Sequence, residues 1–137
     1  MSTFQTADEV YATIGEFLKA IVEEPDMRPK FVASQTSFRV TYSDPSAVMV
    51  VDCTQDPPVV TLGDTGAAAE IDLKMSADDG HAFWLGKLNM TVALAKKKVQ
   101  VAGPMSKMMK LLPAMRPAFP RYRAFLETRG LSTEVAS

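Results

Sequence analysis

The chain has 137 residues, of which 47% are hydrophobic and 23% charged, with a formal net charge of −1. These values fit one soluble globular domain over residues 1–137, and no apolar run reaches the roughly 18 residues of a membrane span. One cysteine, Cys53, excludes an internal disulfide, and a single histidine, His81, leaves little for a transition-metal site. The first residues have no basic start and no continuous apolar stretch, so no secretory signal is expected and a reducing cytoplasm fits.

Charge is unevenly spread. Residues 1–73 hold four basic and twelve acidic side chains, whereas residues 74–129 hold eleven basic and three acidic ones. The two halves are expected to complement each other in the fold. A basic surface facing an anionic headgroup or bilayer is the functional alternative. A pI near 5.8 lacks the basic excess of nucleic-acid binders, so none is expected as a partner.

The first element is a helix. Thr6-Ala7-Asp8-Glu9 matches a capping box, and Val10, Ile14, Phe17, Leu18, Ile21 and Val22 make one apolar stripe, which Pro25 ends. A short helical turn is expected around residues 30–33. The period then changes to two. Phe38, Val40 and Tyr42 alternate with polar residues, and Asp44-Pro45-Ser46 is a turn. Residues 47–53 are almost wholly apolar, as in a strand covered on both faces. Residues 59–62 give a short strand and residues 63–66 a tight connection. Ala69, Ile71, Leu73 and Met75 alternate as a fourth strand.

Ser76 caps a predicted helix over 77–85, closed by Gly86. A short helix is expected from Thr91 to Lys96, and a last strand around Val99–Val101. Gly103-Pro104 starts another helix, with Met105, Met108, Met109 and Leu112 at i, i+3, i+4 and i+7. Pro113, Pro117 and Pro120 are expected to break the next stretch into turns before a final helix closed by Gly130. Residues 131–137 read as a polar tail. Short turns between strands predict an antiparallel meander, and helices at both ends predict an α+β fold with one sheet face covered.

Catalytic patterns are scarce. There is no glycine-rich phosphate loop, no His-Glu-x-x-His and no Cys-x-x-Cys. His81 with Asp78 or Asp79 is the one polar cluster to nominate, and a half-buried structural histidine explains it as well. Cys53 on a buried strand reads as a small hydrophobe. No catalytic residue, cofactor or metal is therefore expected. Methionine is the surplus: nine in all, five between Met90 and Met115. They are either core filler or a deformable wall for an apolar ligand.

The stretch from Gly86-Lys87-Leu88-Asn89-Met90-Thr91-Val92-Ala93 to Lys98-Val99-Gln100-Val101-Ala102-Gly103, followed by the apolar helix of Met105-Ser106-Lys107-Met108-Met109-Lys110-Leu111, resembles the sterol carrier protein 2 (SCP2) sterol-binding domain family. The strand Ile71-Asp72-Leu73-Lys74-Met75-Ser76 and the helix after it also fit, and the resemblance covers roughly residues 6–128. Two positions depart: Met90 stands where the family has Pro, and Lys97 where it has Gly before the last strand. If Lys97 needs φ > 0, it carries a steric penalty that Gly avoids. Val135-Ala136-Ser137 is not the Ser-Lys-Leu peroxisomal address.

The resemblance implies a five-stranded, mainly antiparallel sheet with helices over one face and an apolar tunnel between them. It implies non-catalytic binding or transfer of a sterol, fatty acid, acyl-CoA or similar lipid. Carried onto this chain, the lining is Phe83, Trp84, Leu94, Val101, Met105, Met108, Met109 and Leu112, with Phe119 and Phe125 closing an end. Lys96, Lys97 and Lys98 form the basic run that would touch an anionic membrane. Two other readings compete: a module that homodimerises through its Met/Phe-rich C-terminal face, and an accessory domain acting on acyl substrates. An empty tunnel of ~400 Å³ would cost roughly 10 kcal/mol. The ligand-free protein is thus expected to contract around its methionines or to retain a lipid.

Overall fold

Thr6 opens the first helix as its sequence directs: its Oγ accepts the Glu9 N–H at 3.2 Å. The computed structural model describes residues 3–131 and 133. The helix runs as α1 (Ala7–Val10), a π-helical turn (Tyr11–Gly15) and α2 (Glu16–Ile21), and its whole apolar stripe is buried. Gly15 in the π turn lies against Leu62, where a Cβ would come within 2.8 Å of Leu62 Cδ2. A short α3 (Arg28–Ala33) comes next, as expected.

The sheet is built from β1 (Ser37–Ser43), β2 (Ala47–Asp52), β3 (Val59–Leu62), β4 (Ile71–Ser76) and β5 (Gln100–Ala102), in the order β3-β2-β1-β4-β5. Three of the four pairings are antiparallel, but β1 and β4 are parallel. The meander therefore stops after β3. Residues 63–70 are not a tight connection but a crossover, shorter than the dozen residues such links usually take. This segment is held against β1 by polar contacts. Arg39 donates to the Ala67 carbonyl, and the Ser37 hydroxyl accepts the Glu70 N–H at 3.0 Å.

Register puts the apolar partners on one face. Phe38 faces Val51 and Ile71, Val40 faces Met49 and Leu73, and Tyr42 faces Ala47 and Met75. Helices α4 (Ala77–Trp84), α5 (Met90–Ala95), α6 (Met105–Met115) and α7 (Phe119–Thr128) complete the chain. Ser76 caps α4, accepting the Asp79 N–H at 3.0 Å. Pro113 does not end α6; the helix continues to Met115 and passes through a 3₁₀ turn (Arg116–Ala118) into α7. Proline in a helix frees the carbonyl four residues earlier. Here that residue is Met109, which is exposed, so water can satisfy the carbonyl.

The acidic and basic halves do meet: Lys107 pairs with Glu70 and Arg121 with Asp26. The Arg121 guanidinium, as hydrogen-bond donor, holds the Asp26 carboxyl below the usual carboxylate range. No helix among the described residues is long and apolar enough to cross a membrane.

Candidate functional site between the sheet and the C-terminal helices

An apolar cleft of about 30 Å³ lies between the covered sheet face and helices α4 and α6. Its floor is Phe38, Val40 and Tyr42 of β1 with Leu73 and Met75 of β4. Its roof is Gly80, Phe83 and Trp84 from α4, Met90 from α5, and Met108, Leu111, Leu112 and Met115 from α6. No charged side chain lines it. This volume holds a water or two, far less than the lipid-sized tunnel that the resemblance implies. The physical reason is cost: leaving 30 Å³ dry costs about 0.7 kcal/mol, against roughly 10 for a lipid-sized void.

The roof is anchored by edge-to-face aromatic pairs. Phe17 meets Trp84 at 5.6 Å and Tyr122 at 4.9 Å; Phe83 meets Trp84 at 5.1 Å and Phe119 at 5.4 Å. Each such pair adds about 0.5–1.5 kcal/mol beyond its buried area.

Two outer grooves abut the cleft. The first, of about 640 Å³, shares Phe83, Met90 and Leu112 with it and adds Lys87, Leu88, Asn89, Met109, Arg116 and Phe119 among others. The second, of about 400 Å³, shares Tyr42 and Met75 and adds Lys74, Asp79, Lys97 and Lys98.

Local sequence sets these walls. Gly86, at φ +75°, closes α4, and the Lys87 N–H reaches back to the Ala82 carbonyl at 2.8 Å. That is a Schellman turn, and it directs Lys87 to Asn89 along the first groove. The same turn closes α5, with the Lys98 N–H on the Ala93 carbonyl at 2.9 Å, but lysine occupies the left-handed position: Lys97 has φ +59°. The penalty foreseen for Lys97 is present.

Of the side chains nominated from sequence, Phe83, Trp84, Met108 and Leu112 line the cleft, and Met109 and Phe119 line the first groove. Leu94, Val101 and Phe125 pack as half-buried residues against the core, outside both linings. Met105 and Met109 are 46% and 56% exposed. Helix α6 is thus rotated from the expected stripe and buries Met108, Leu111 and Met115. The buried stripe reaches beyond Pro113, where the expected one ends. Sequence reasoning missed the sheet floor, Met75 and Met90, although the alternating apolar residues of β1 and β4 were its signal.

His81 stands apart from the cleft. It is buried on another side of α4, with Nδ1 2.8 Å from the Tyr122 hydroxyl and its ring edge-on to Phe4 at 5.5 Å. Asp78 instead accepts the Thr3 N–H at 2.7 Å, and Asp79 lines the second groove. The three do not form one cluster at the apolar cleft. Cys53 is buried, and desolvation pushes its thiol up to about 12.

Comparison with known proteins extends the geometry. No curated relative matches this chain. The solution structure of sterol carrier protein domain 2 of Helicoverpa armigera is similar with a TM-score of 0.66 and 22% identity, over 80% of this chain and 90% of that one. Apo sterol carrier protein 2 from Yarrowia lipolytica gives 0.61 and 18%, over 77% and 88%. Sterol carrier protein 2 from Aedes aegypti, in complex with palmitate, gives 0.55 and 24%, over 82% and 96%. These likenesses show the fold. Residues 14–116 match the SCP-2 sterol transfer family, and the chain belongs to that family.

Proposed function

We propose that this protein binds a hydrophobic lipid, without catalysis, in the space between the sheet and helices α4 and α6, and carries it between sites in the cell. The observation that supports this most is the uncharged lining of the cleft, with four methionines on its walls. Unbranched, polarizable side chains can rearrange around several ligand shapes. Membership in the SCP-2 sterol transfer family and the palmitate complex of the Aedes aegypti protein point the same way.

Energetics permit entry into a contracted cleft. A saturated chain of ~16 carbons gains up to about 13 kcal/mol on full burial at ~0.8 kcal/mol per methylene. Micromolar affinity needs about 8 kcal/mol. The remainder offsets chain ordering and widening of the cleft.

Lys97 and Lys98 border the second groove with Lys74, so a transient contact of this edge with an anionic bilayer belongs to the same reading. Charge reversal at Lys96, Lys97 and Lys98 is expected to slow lipid transfer to anionic vesicles and to leave binding intact.

The test is organic extraction of the purified protein with mass spectrometry, alongside thermal shift and calorimetric titration with fatty acids and sterols. A co-purified lipid, or a rise in melting temperature with one lipid class, is expected. No extracted lipid and no shift with any class would defeat the reading.

A further inference from the structure

We infer that the groove between the α4–α5 loop and the end of α6 seats the anionic headgroup of a single-chain lipid, with Arg116 and Lys87 as its oxyanion contacts. The inference rests on the lipid-binding reading and adds the class of headgroup and its place. The apolar cleft offers a charged group nothing: no cation lines it, and stranding a carboxylate there costs several kcal/mol. The charged end of an amphiphile must therefore stay outside.

The groove meets that need. Phe83, Met90 and Leu112 belong to both linings and form an apolar throat between them. Beyond the throat the groove carries two cations, Lys87 and Arg116, and two neutral polar side chains, Asn89 and Thr91, with no carboxylate among its lining residues. Arg116 makes no ion pair or side-chain hydrogen bond among the described residues, while Arg28, Arg39 and Arg121 each hold an aspartate. Lys87 Nζ donates only to the Thr133 carbonyl, at 3.0 Å. Both cations are thus uncompensated by an anion among the described residues.

Backbone position favours this role as well. Arg116 opens the 3₁₀ turn between Pro113 and Pro117, so proline constrains the chain on either side of it. Lys87 comes directly after the Schellman turn at Gly86. A planar guanidinium and an ammonium held on fixed backbone suit a carboxylate or phosphate oxygen. The opposite groove also has lysines, but Asp79 stands among them.

Calorimetric titration of the full chain with laurate, dodecanol and inorganic phosphate separates the possibilities. The proteins compared are the parent, Arg116→Gln/Lys87→Gln, and Lys97→Gln/Lys98→Gln as a control. Both pairs are exposed, and thermal unfolding checks that each variant folds. The parent is expected to prefer laurate over dodecanol. Arg116→Gln/Lys87→Gln should weaken laurate about tenfold, the loss of charge-assisted hydrogen bonds at a wet site, and leave dodecanol unchanged. The control pair should alter neither. Laurate and dodecanol binding equally, or laurate weakened only by the control pair, overturns the headgroup seat and leaves the lipid reading standing. Phosphate competing with laurate at equal concentration would assign the groove to a free anion and also overturn it. Failure of both laurate and dodecanol to bind the parent would overturn the lipid reading along with the seat.

Discussion

Gly80 on α4 lies directly over the ring of Tyr42 on β1: a Cβ at Gly80 would stand 2.5 Å from Tyr42 Cε1. Both residues line the apolar cleft, and Tyr42 also borders the second groove. The absent side chain at Gly80 is what lets the helix approach the strand with a tyrosine between them. Gly80→Ala should force the ring aside and destabilise the protein by about 1–3 kcal/mol. With the ring displaced into the cleft, lipid capacity should fall as well. A melting temperature and a laurate titration equal to those of the parent would refute the relationship.

Met108 is the buried methionine at the centre of the α6 face. Met108→Ala should cost about 2–4 kcal/mol by leaving a cavity. If the cleft receives lipid, bound ligand should recover part of that loss, so the thermal shift with a fatty acid should be larger in the variant than in the parent. Equal shifts in the two proteins would argue that Met108 is ordinary core.

Lys97 sits at φ +59° in the turn after α5 and is exposed. A left-handed conformation costs a non-glycine residue ~1–2 kcal/mol, part of which glycine loses again to chain entropy. Lys97→Gly should therefore stabilise the protein by about 0.5–1 kcal/mol, seen as a higher urea midpoint. Lys97→Ala, which keeps a Cβ, should not reproduce the gain.

Burial raises the pKa of three groups that have no role at the first groove. Cys53 moves from 9.0 to about 12, and Tyr42 and Tyr122 are pushed above their usual 10.0, in each case first by desolvation. The native state keeps these protons while the unfolded chain releases them. The stabilisation is whole below about pH 9 and is lost as pH rises through the unfolded values toward the folded ones. Urea midpoints should be level from about pH 7 to 8.5 and fall by about pH 11. Cys53 should resist alkylation at about pH 8 until the protein unfolds.

Local signals in the sequence were enough wherever the physics is local. Capping at Thr6 and Ser76, the left-handed stop at Gly86 and the alternation along β1 and β4 all stand in the structure. The misreadings trace to two places where neighbours decide. Pro113 is a helix breaker only if the freed carbonyl lacks another partner; here that carbonyl belongs to Met109, an exposed residue, α6 continues, and the buried stripe shifts toward Leu111 and Met115. The glycines of the segment after β3 suit a hairpin turn, yet the Arg39 guanidinium donates to the Ala67 carbonyl and the Glu70 N–H donates to the Ser37 hydroxyl, and these bonds draw it across β1.

What the amino-acid sequence determined by itself is the set of elements, the apolar faces of the first helix and of β1 and β4, and the family pattern, because propensity, capping and periodicity act over a few residues. What only the tertiary structure decided is the parallel pairing of β1 with β4, the rotation of α6 and the small size of the cleft, about 30 Å³. Those depend on packing between segments far apart in the chain. There the cost of an empty volume, set against the dispersion energy recovered by closing it, selects one arrangement from several that share the same local pattern.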